Sequence, residues 1–552
     1  MATGCALACN ICGPDLCGIR RMLRAAFRQP AARVLSKPAI VAAGTSRASR
    51  CQRKAPCEAD ALLVGLAAGT GACLLGVGFL AGRTRGGSAG SDVTRADLRR
   101  LQRLLHDGRL LHPLGGVEGE RASFADLAHG LSLCCGLAPA RGVREAEARK
   151  LAAEIGGVER RHIIVVLCDG MGCNILEDHL DRGSFLRRNN RAERLLAVFP
   201  STTPAALTTL ATGVWPGQHG QPGWDLRDQK GCDYPGKPAS GPVQLRVLNN
   251  FVADMRSHRP AKEFGFEDKD IYVAPPWTIQ GYSKRHMLFV SAYNGGDFTN
   301  WYEGPHNGNV KSIPETVADT LGTPEGAAAA VEFFQRGVDH AIAGVEEAEK
   351  HGWKSYIYVY TAHPDKHMHA LGTTHPEVRS VVRGLNTELE RLWKSLEARG
   401  RDAALVVTAD HGHITVKPSD MVTLPDEIIE CLEYANVGVH GKGRHACLHC
   451  RSGRHRDFED RWAKCRRLRD NFLLLTVEDA AAEGLFGPDA PLPEIRPRLG
   501  DYLAISVNAC TLLSPDEAAK YRDGCSARCQ GAHGSLLREE LQIPFVVCTP
   551  EG

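Results

Sequence analysis

Three stretches of the chain are apolar almost without interruption, and each runs into residues that carry chemistry. HIIVVLC from His162, YIYVYT from Tyr356 to Thr361 and the ALVVT run before Ala409 lack the alternation of a half-exposed strand. That pattern predicts strands covered on both faces, as in a parallel sheet. Helical spacing separates them: Ala327 to Lys350 and Val378 to Arg399 each read as one helix. From Val93 to about Gly157, LRRLQRLLHDGRLL and REAEARKLAAEI also carry apolar residues at helical spacing, with charged faces. Strands alternating with helices predict an α/β fold built on a doubly wound, mainly parallel sheet.

The ends of those strands hold the candidate chemistry. Asp169 follows the first, Asp365 and His369 stand one helical turn apart after the second, and Asp410 and His411 follow the third. In an open α/β sheet the carboxyl edge of the strands is where ligands bind. Carboxylate and imidazole at helical-turn spacing can reach one ion, so the edge is a candidate metal site. His363, His367 and His375 crowd the same loop.

A fourth stretch, VFPSTTPAALTTLATGVWPGQHG from Val198 to Gly220, places a hydroxyl where strand turns to helix. Leu195, Leu196, Val198 and Phe199 predict a short buried strand, Thr203 an N-cap and Pro204 a first-turn proline. Ala205 to Thr212 continue as helix up to Gly213. An ordinary capping threonine has this local pattern. Beside a metal, the same turn aims the positive end of a helix at a phosphate oxygen.

Composition divides the rest. The 552 residues carry a net charge of +3, but residues 1–60 hold ten Lys/Arg against three acids, so the remainder carries −4. A near-neutral body argues against nucleic acid as a partner. Residues 1–60 read as a basic leader, disordered or targeting, in which Cys5, Cys9, Cys12 and Cys17 are candidate acylation sites or metal ligands. Residues 61–82, ALLVGLAAGTGACLLGVGFLAG, are uncharged over a membrane-spanning length and predict one transmembrane helix. The competing reading is the apolar part of a cleaved targeting signal. The expected location is therefore a membrane, single-pass, with organelle targeting by the leader as the variant. Residues 83–92 read as a linker, 93–157 as a helical N-terminal part and 158–552 as the catalytic domain, with an insertion at about 414–530. The 20 cysteines show no disulfide framework and predict mostly free thiols. Cys447 and Cys450, with His445, His449 and His455 nearby, suggest a zinc knuckle but lack a second pair. Aromatics between Gly220 and Thr316 (Trp224, Tyr282, Phe298, Trp301, Tyr302) suit core packing or a pocket wall.

Taken together, DGMG at Asp169, FPSTTPAALTTLATG at Thr203, DKHMHALG at Asp365, TADHG at Asp410 and GAHG at His533 resemble the alkaline phosphatase superfamily. The nearest branch is that of the type I phosphodiesterases and nucleotide pyrophosphatases. The resemblance runs from about His162 to the C-terminus and implies an alkaline phosphatase-like fold with two Zn²⁺, or Mn²⁺ or Fe in their place. It implies Asp169, Thr203, Asp410 and His411 around one ion, Asp365, His369 and His533 around the other, and Thr203 as nucleophile. A phosphorylated Thr203 is then hydrolysed in a second in-line step. His445 competes with His533 for the last position; the Gly-flanked loop before a terminal helix and strand favours His533.

One departure concerns the substrate. Nucleotide pyrophosphatases typically follow the nucleophile with phenylalanine, proline and an asparagine that helps hold the phosphoryl oxygen; here Pro204, Ala205 and Ala206 follow. The expected activity is hydrolysis of small-molecule phosphate diesters or pyrophosphates. Alternatives are a monoesterase, a phosphonate hydrolase or a phospho-head-group transferase of the same superfamily, or an inactive membrane-bound binding protein. No Arg or Lys lies between Ala197 and Gly220, and Lys366 is the nearby basic candidate.

Overall fold

The computed structural model describes residues 91–115, 121–138, 144–227, 321–398, 402–433, 443–522 and 530–550, with shorter pieces between 247 and 311 and at 439–441. The expected leader, the transmembrane segment 61–82 and most of the linker lie outside the described residues. Among the described residues no helix is long and apolar enough to cross a membrane. The linker stops one residue earlier than expected. Ser91 caps the first helix, α1 (Asp92–His106), accepting from the Thr94 N–H.

Two further helices, α2 (Phe124–Cys134) and α3 (Glu145–Ile155), complete the N-terminal part. The sheet then begins with β1 (His162–Cys168), and the stretch from Val198 to Gly220 supplies α4 (Thr203–Thr212). Next come β2 (His286–Val290), β3 (Val310–Lys311), α5 (Pro324–Lys350) and β4 (Ser355–Thr361). Helices α6 (Asp365–Leu371) and α7 (Pro376–Glu397) lead to β5 (Ala403–Thr408). Beyond them lie β6 (Val439–His440), β7 (His445–Leu448), β8 (Phe472–Thr476), β9 (Tyr502–Ser506) and β10 (Val546–Cys548).

The central sheet has six strands in the order β10-β5-β1-β4-β2-β3, parallel except for β10. All residues of β1, β4 and β5 are buried, which is why their sequence does not alternate. Alternation survives in what each face touches. Ile357 approaches Gly344 of α5 and Val359 approaches Gly337, while Tyr356 stacks on Tyr282 at 4.1 Å. A Cβ at Gly344 would stand 2.6 Å from Leu288, so the missing side chain is what lets the helix sit this close. Tyr282 is thus a core residue; Phe298, Trp301 and Tyr302 lie outside the described residues.

The short strand before Thr203 does not join the central sheet. Leu195–Leu196 pairs parallel with Ala122–Ser123 and antiparallel with Gln542–Ile543 in a separate small sheet. A further antiparallel sheet, β6-β7-β9-β8, occupies the region expected as an insertion. Its period-two pattern divides it between two cores. Leu473, Leu475, Leu503 and Ile505 pack into the main core, while Phe472, Leu474, Tyr502 and Ala504 pack with Trp462 in a second one.

Candidate active site and metal centre

Strand register delivers the carboxylates to one edge. Cys168 of β1 pairs with Thr361 of β4, and Leu167 pairs with Thr408 of β5, so residues 169, 362–365 and 409–411 leave the sheet side by side. Backbone hydrogen bonds fasten the exits: the Asp169 N–H donates to the Thr361 carbonyl at 2.9 Å and the Asp365 N–H to the Asp169 carbonyl at 3.1 Å. One turn of α6 then stacks His369 over Asp365.

Thr203 enters from the other side. Its position differs by one residue from the capping pattern: Thr202 is the N-cap of α4, Thr203 the first helical residue and Pro204 the second. The Thr203 hydroxyl is therefore not consumed as a cap. Fully buried, its Oγ1 lies 3.4 Å from Asp169 Oδ1 and 3.2 Å from His411 Nε2.

His533 arrives through a two-residue ladder in which Ile414–Thr415 runs antiparallel to Gly531–Ala532. The same ladder brings in His413, which sequence reasoning passed over. The missed signal was the DHGH spacing: imidazoles two residues apart in extended chain face the same way. Gly531 makes the approach possible, since a Cβ there would collide with the Met368 carbonyl and the His413 ring.

Asp169, Asp410 and the four imidazoles each have one atom held and another offered. Tyr360, also missed in the sequence, donates to Asp169 Oδ2 at 2.5 Å and leaves Oδ1 toward Thr203. Asp410 Oδ1 accepts from the Gly170 and His411 N–H groups, both at 3.1 Å, while Oδ2 is buried without a hydrogen-bond partner. The imidazoles follow the same rule at Nδ1: His411 pairs with the Gly412 carbonyl, His413 with Ile414, His369 with Gly531 and His533 with Ser201. A carbonyl only accepts, so Nδ1 carries the proton and every Nε2 lone pair faces the cluster.

The spacing fits metal ions. Donor arms of about 2.0–2.2 Å in a tetrahedron put neighbouring donors about 3.3–3.6 Å apart. From His411 Nε2 the distances are 3.5 Å to Asp169 Oδ1, 3.4 Å to Asp410 Oδ2 and 3.2 Å to Thr203 Oγ1. From Asp365 Oδ1 they are 3.4 Å to His369, 3.2 Å to His413 and 3.7 Å to His533. Asp365 Oδ1, Asp410 Oδ2 and His413 Nε2 are buried without hydrogen-bond partners, which suits atoms that face a cation.

Electrostatics point the same way. Burial, then the Asp410 and Asp365 carboxylates, push Asp169 well above the usual carboxylate range, with Tyr360 pulling against them. Burial also opposes ionisation of Asp365, but His369, His413 and His533 outweigh it and hold that carboxyl well below its usual range. Burial pushes His413 down to about 4 and His533 well below its ordinary value. These demands conflict, because an ionised Asp365 is best served by charged imidazoles that burial keeps neutral. A divalent cation satisfies both.

Other histidines are placed elsewhere. His363 and His367 pair through their Nδ1 atoms at 2.9 Å, His367 reaches Glu377, and His375 caps α7. His445 is bound to the Pro222 carbonyl at 2.6 Å and packs on Phe199, outside the cluster. His440 and His449 face one another at 2.8 Å. Among the described residues the region around Cys447 and Cys450 gathers no metal-ligating group, and the cysteines are free thiols.

No curated protein matches the sequence. Solved structures similar to the chain include an inactive form of murine ectonucleotide pyrophosphatase/phosphodiesterase 5 in complex with AMP, at 15% identity and a TM-score of 0.45, covering 70% of this chain and 88% of that one. Human ectonucleotide pyrophosphatase/phosphodiesterase 5 is similar at 14% identity and a TM-score of 0.44, covering 70% and 87%. The family model for type I phosphodiesterase/nucleotide pyrophosphatase matches residues 163–536. That span holds every residue of the cluster, and the chain belongs to the type I phosphodiesterase/nucleotide pyrophosphatase family of the alkaline phosphatase superfamily.

Proposed function

We propose that the protein is a zinc-dependent hydrolase of phosphate diesters or pyrophosphates that works through a phosphothreonine at Thr203. The observation that carries this reading is the Thr203 hydroxyl, buried at the start of α4 and within 3.4 Å of both Asp169 and His411. Asp169, Thr203, Asp410 and His411 would hold one ion, and Asp365, His369 and His533 a second. Mixed oxygen and nitrogen donors favour zinc over harder cations. When bound, the ions lower the pKa of the attacking hydroxyl and offset charge on the leaving oxygen.

The chain supplies orientation. Thr203 Oγ1 forms the bond to phosphorus as the ester oxygen leaves, and a water oxygen later displaces Thr203 Oγ1 from phosphorus. The start of α4 directs positive dipole at the phosphoryl oxygens throughout. Tyr360 and the Gly170 and His411 N–H groups fix the Asp169 and Asp410 carboxylates before substrate arrives, so little reorganisation accompanies the reaction.

The test is Thr203→Ala on zinc-loaded protein with a chromogenic phosphodiester. Turnover should vanish while most bound metal stays, and Thr203→Ser should keep some activity. Full turnover in the alanine variant overturns the assignment.

A further inference from the structure

We propose that His413 is a fourth protein ligand of the second ion, closing its coordination shell. This rests on the metal-site reading above and extends it, since that reading needs only Asp365, His369 and His533 there.

Three observations converge. First, His413 Nε2 lies 3.2 Å from Asp365 Oδ1, the shortest of the three imidazole approaches to that oxygen. The His413 Nδ1 faces the Ile414 carbonyl at 3.3 Å. With one proton on the ring, one of these two contacts must bring acceptor against acceptor, and a cation between Nε2 and Oδ1 removes that conflict.

Second, the rings converge as ligands do. Imidazoles bound through Nε2 to a tetrahedral ion have centroids about 5 Å apart. His369, His413 and His533 are separated by 4.7, 5.1 and 5.3 Å, with ring planes inclined by 54° to 76°. A ring that only supported Asp365 from outside the shell would have no reason to stand within 5.3 Å of both others.

Third, the backbone invests in this placement. The ladder between Ile414–Thr415 and Gly531–Ala532 fixes His413 and His533 together, and Gly531 leaves room for the His413 ring.

One carboxylate and three imidazoles complete a tetrahedral shell, the arrangement of a closed site. An ion held there by four protein donors would still contribute its charge to the leaving oxygen.

The experiment uses the full chain loaded with Zn²⁺, or with Co²⁺ for spectroscopy, and compares the parent with His413→Ala and His413→Gln. In competition with a chromogenic chelator, both variants should retain one of the two ions at least about tenfold more weakly. The intense visible bands of four-coordinate cobalt should be lost from that site in both. Glutamine can still donate a hydrogen bond to Asp365, so parental retention and spectrum in His413→Gln would show a positioning residue and overturn the proposal. Parental retention in His413→Ala overturns it too. Failure of the functional reading looks different: turnover in Thr203→Ala defeats the nucleophile and leaves this ligand set standing.

Discussion

The Tyr360 hydroxyl donates to Asp169 Oδ2 at 2.5 Å, on the side of the carboxylate facing away from Thr203. Tyr360 is the one group among the main influences on Asp169 that pulls its pKa down against burial and two carboxylates. Removing it should make Asp169 harder to ionise. Tyr360→Phe is expected to weaken metal retention by about 10–100-fold and to move the acid limb of kcat/KM to higher pH. A chelator titration and a pH-rate profile check this, and an unmoved acid limb would count against it.

Metal removal should matter more as pH rises. Asp169 has a folded-state pKa above its unfolded value, so in metal-free protein its contribution is fully present below about pH 4 and is lost as pH climbs through the raised value. Metal binding needs the ionised carboxylate and neutral imidazoles, so it gains with pH over the same range. The Tm difference between zinc-loaded and chelator-treated protein should widen from about pH 5 to about pH 8. A gap that is constant or narrows would contradict it.

Diesters should be better substrates than monoesters. Two divalent ions would bring four positive charges, matched by Asp169, Asp365, Asp410 and an ionised Thr203, which would leave about zero for the phosphate. A monoester dianion asks for an added cation, and none lies in the sequence from Ala197 to Gly220. The measurement is kcat/KM for a chromogenic diester and its monoester counterpart. A monoester preference of about tenfold would point to Lys366 as the missing charge.

Arg444 and Glu540 form a fully buried pair with contacts of 2.6 and 2.9 Å, joining β7 to the segment after His533. Glu540 also accepts from the Ser535 N–H, and the Ser535 carbonyl accepts from Ser201. Glu540→Gln leaves a buried guanidinium short of charge and should cost about 3–5 kcal/mol. Thermal unfolding of the metal-loaded variant tests this; a change under about 1 kcal/mol would show that the pair is dispensable.

The sheet and its carboxyl edge were legible because β1, β4 and β5 are buried on both faces and so read as unbroken apolar runs. Asp169, Asp365 and Asp410 could be placed at one edge from that alone. What escaped depended on pairing across the chain. His413 acquires its role from a ladder of two residues, too short to leave a pattern, with a partner more than a hundred positions away. Tyr360 sits within an apolar strand and reads there as core. The N-cap shifted from Thr203 to Thr202 because both residues are threonine, and local sequence does not choose between adjacent identical caps.

The Ile414–Thr415 and Gly531–Ala532 ladder also sets what can vary. The chain departs from the Asp/His cluster at Thr415 and comes back beside it at Gly531, so everything between begins and ends at one doorway. A segment tethered in this way can be lengthened, shortened or exchanged at modest entropic cost while its endpoints stay put. A replacement must roof the apolar surface now covered by Leu473, Leu475, Leu503 and Ile505 and must supply a buried cation for Glu540, as Arg444 does now. Loop length is therefore free to change within this part of the molecule, while the ladder and the Arg444–Glu540 pair keep its two ends in place.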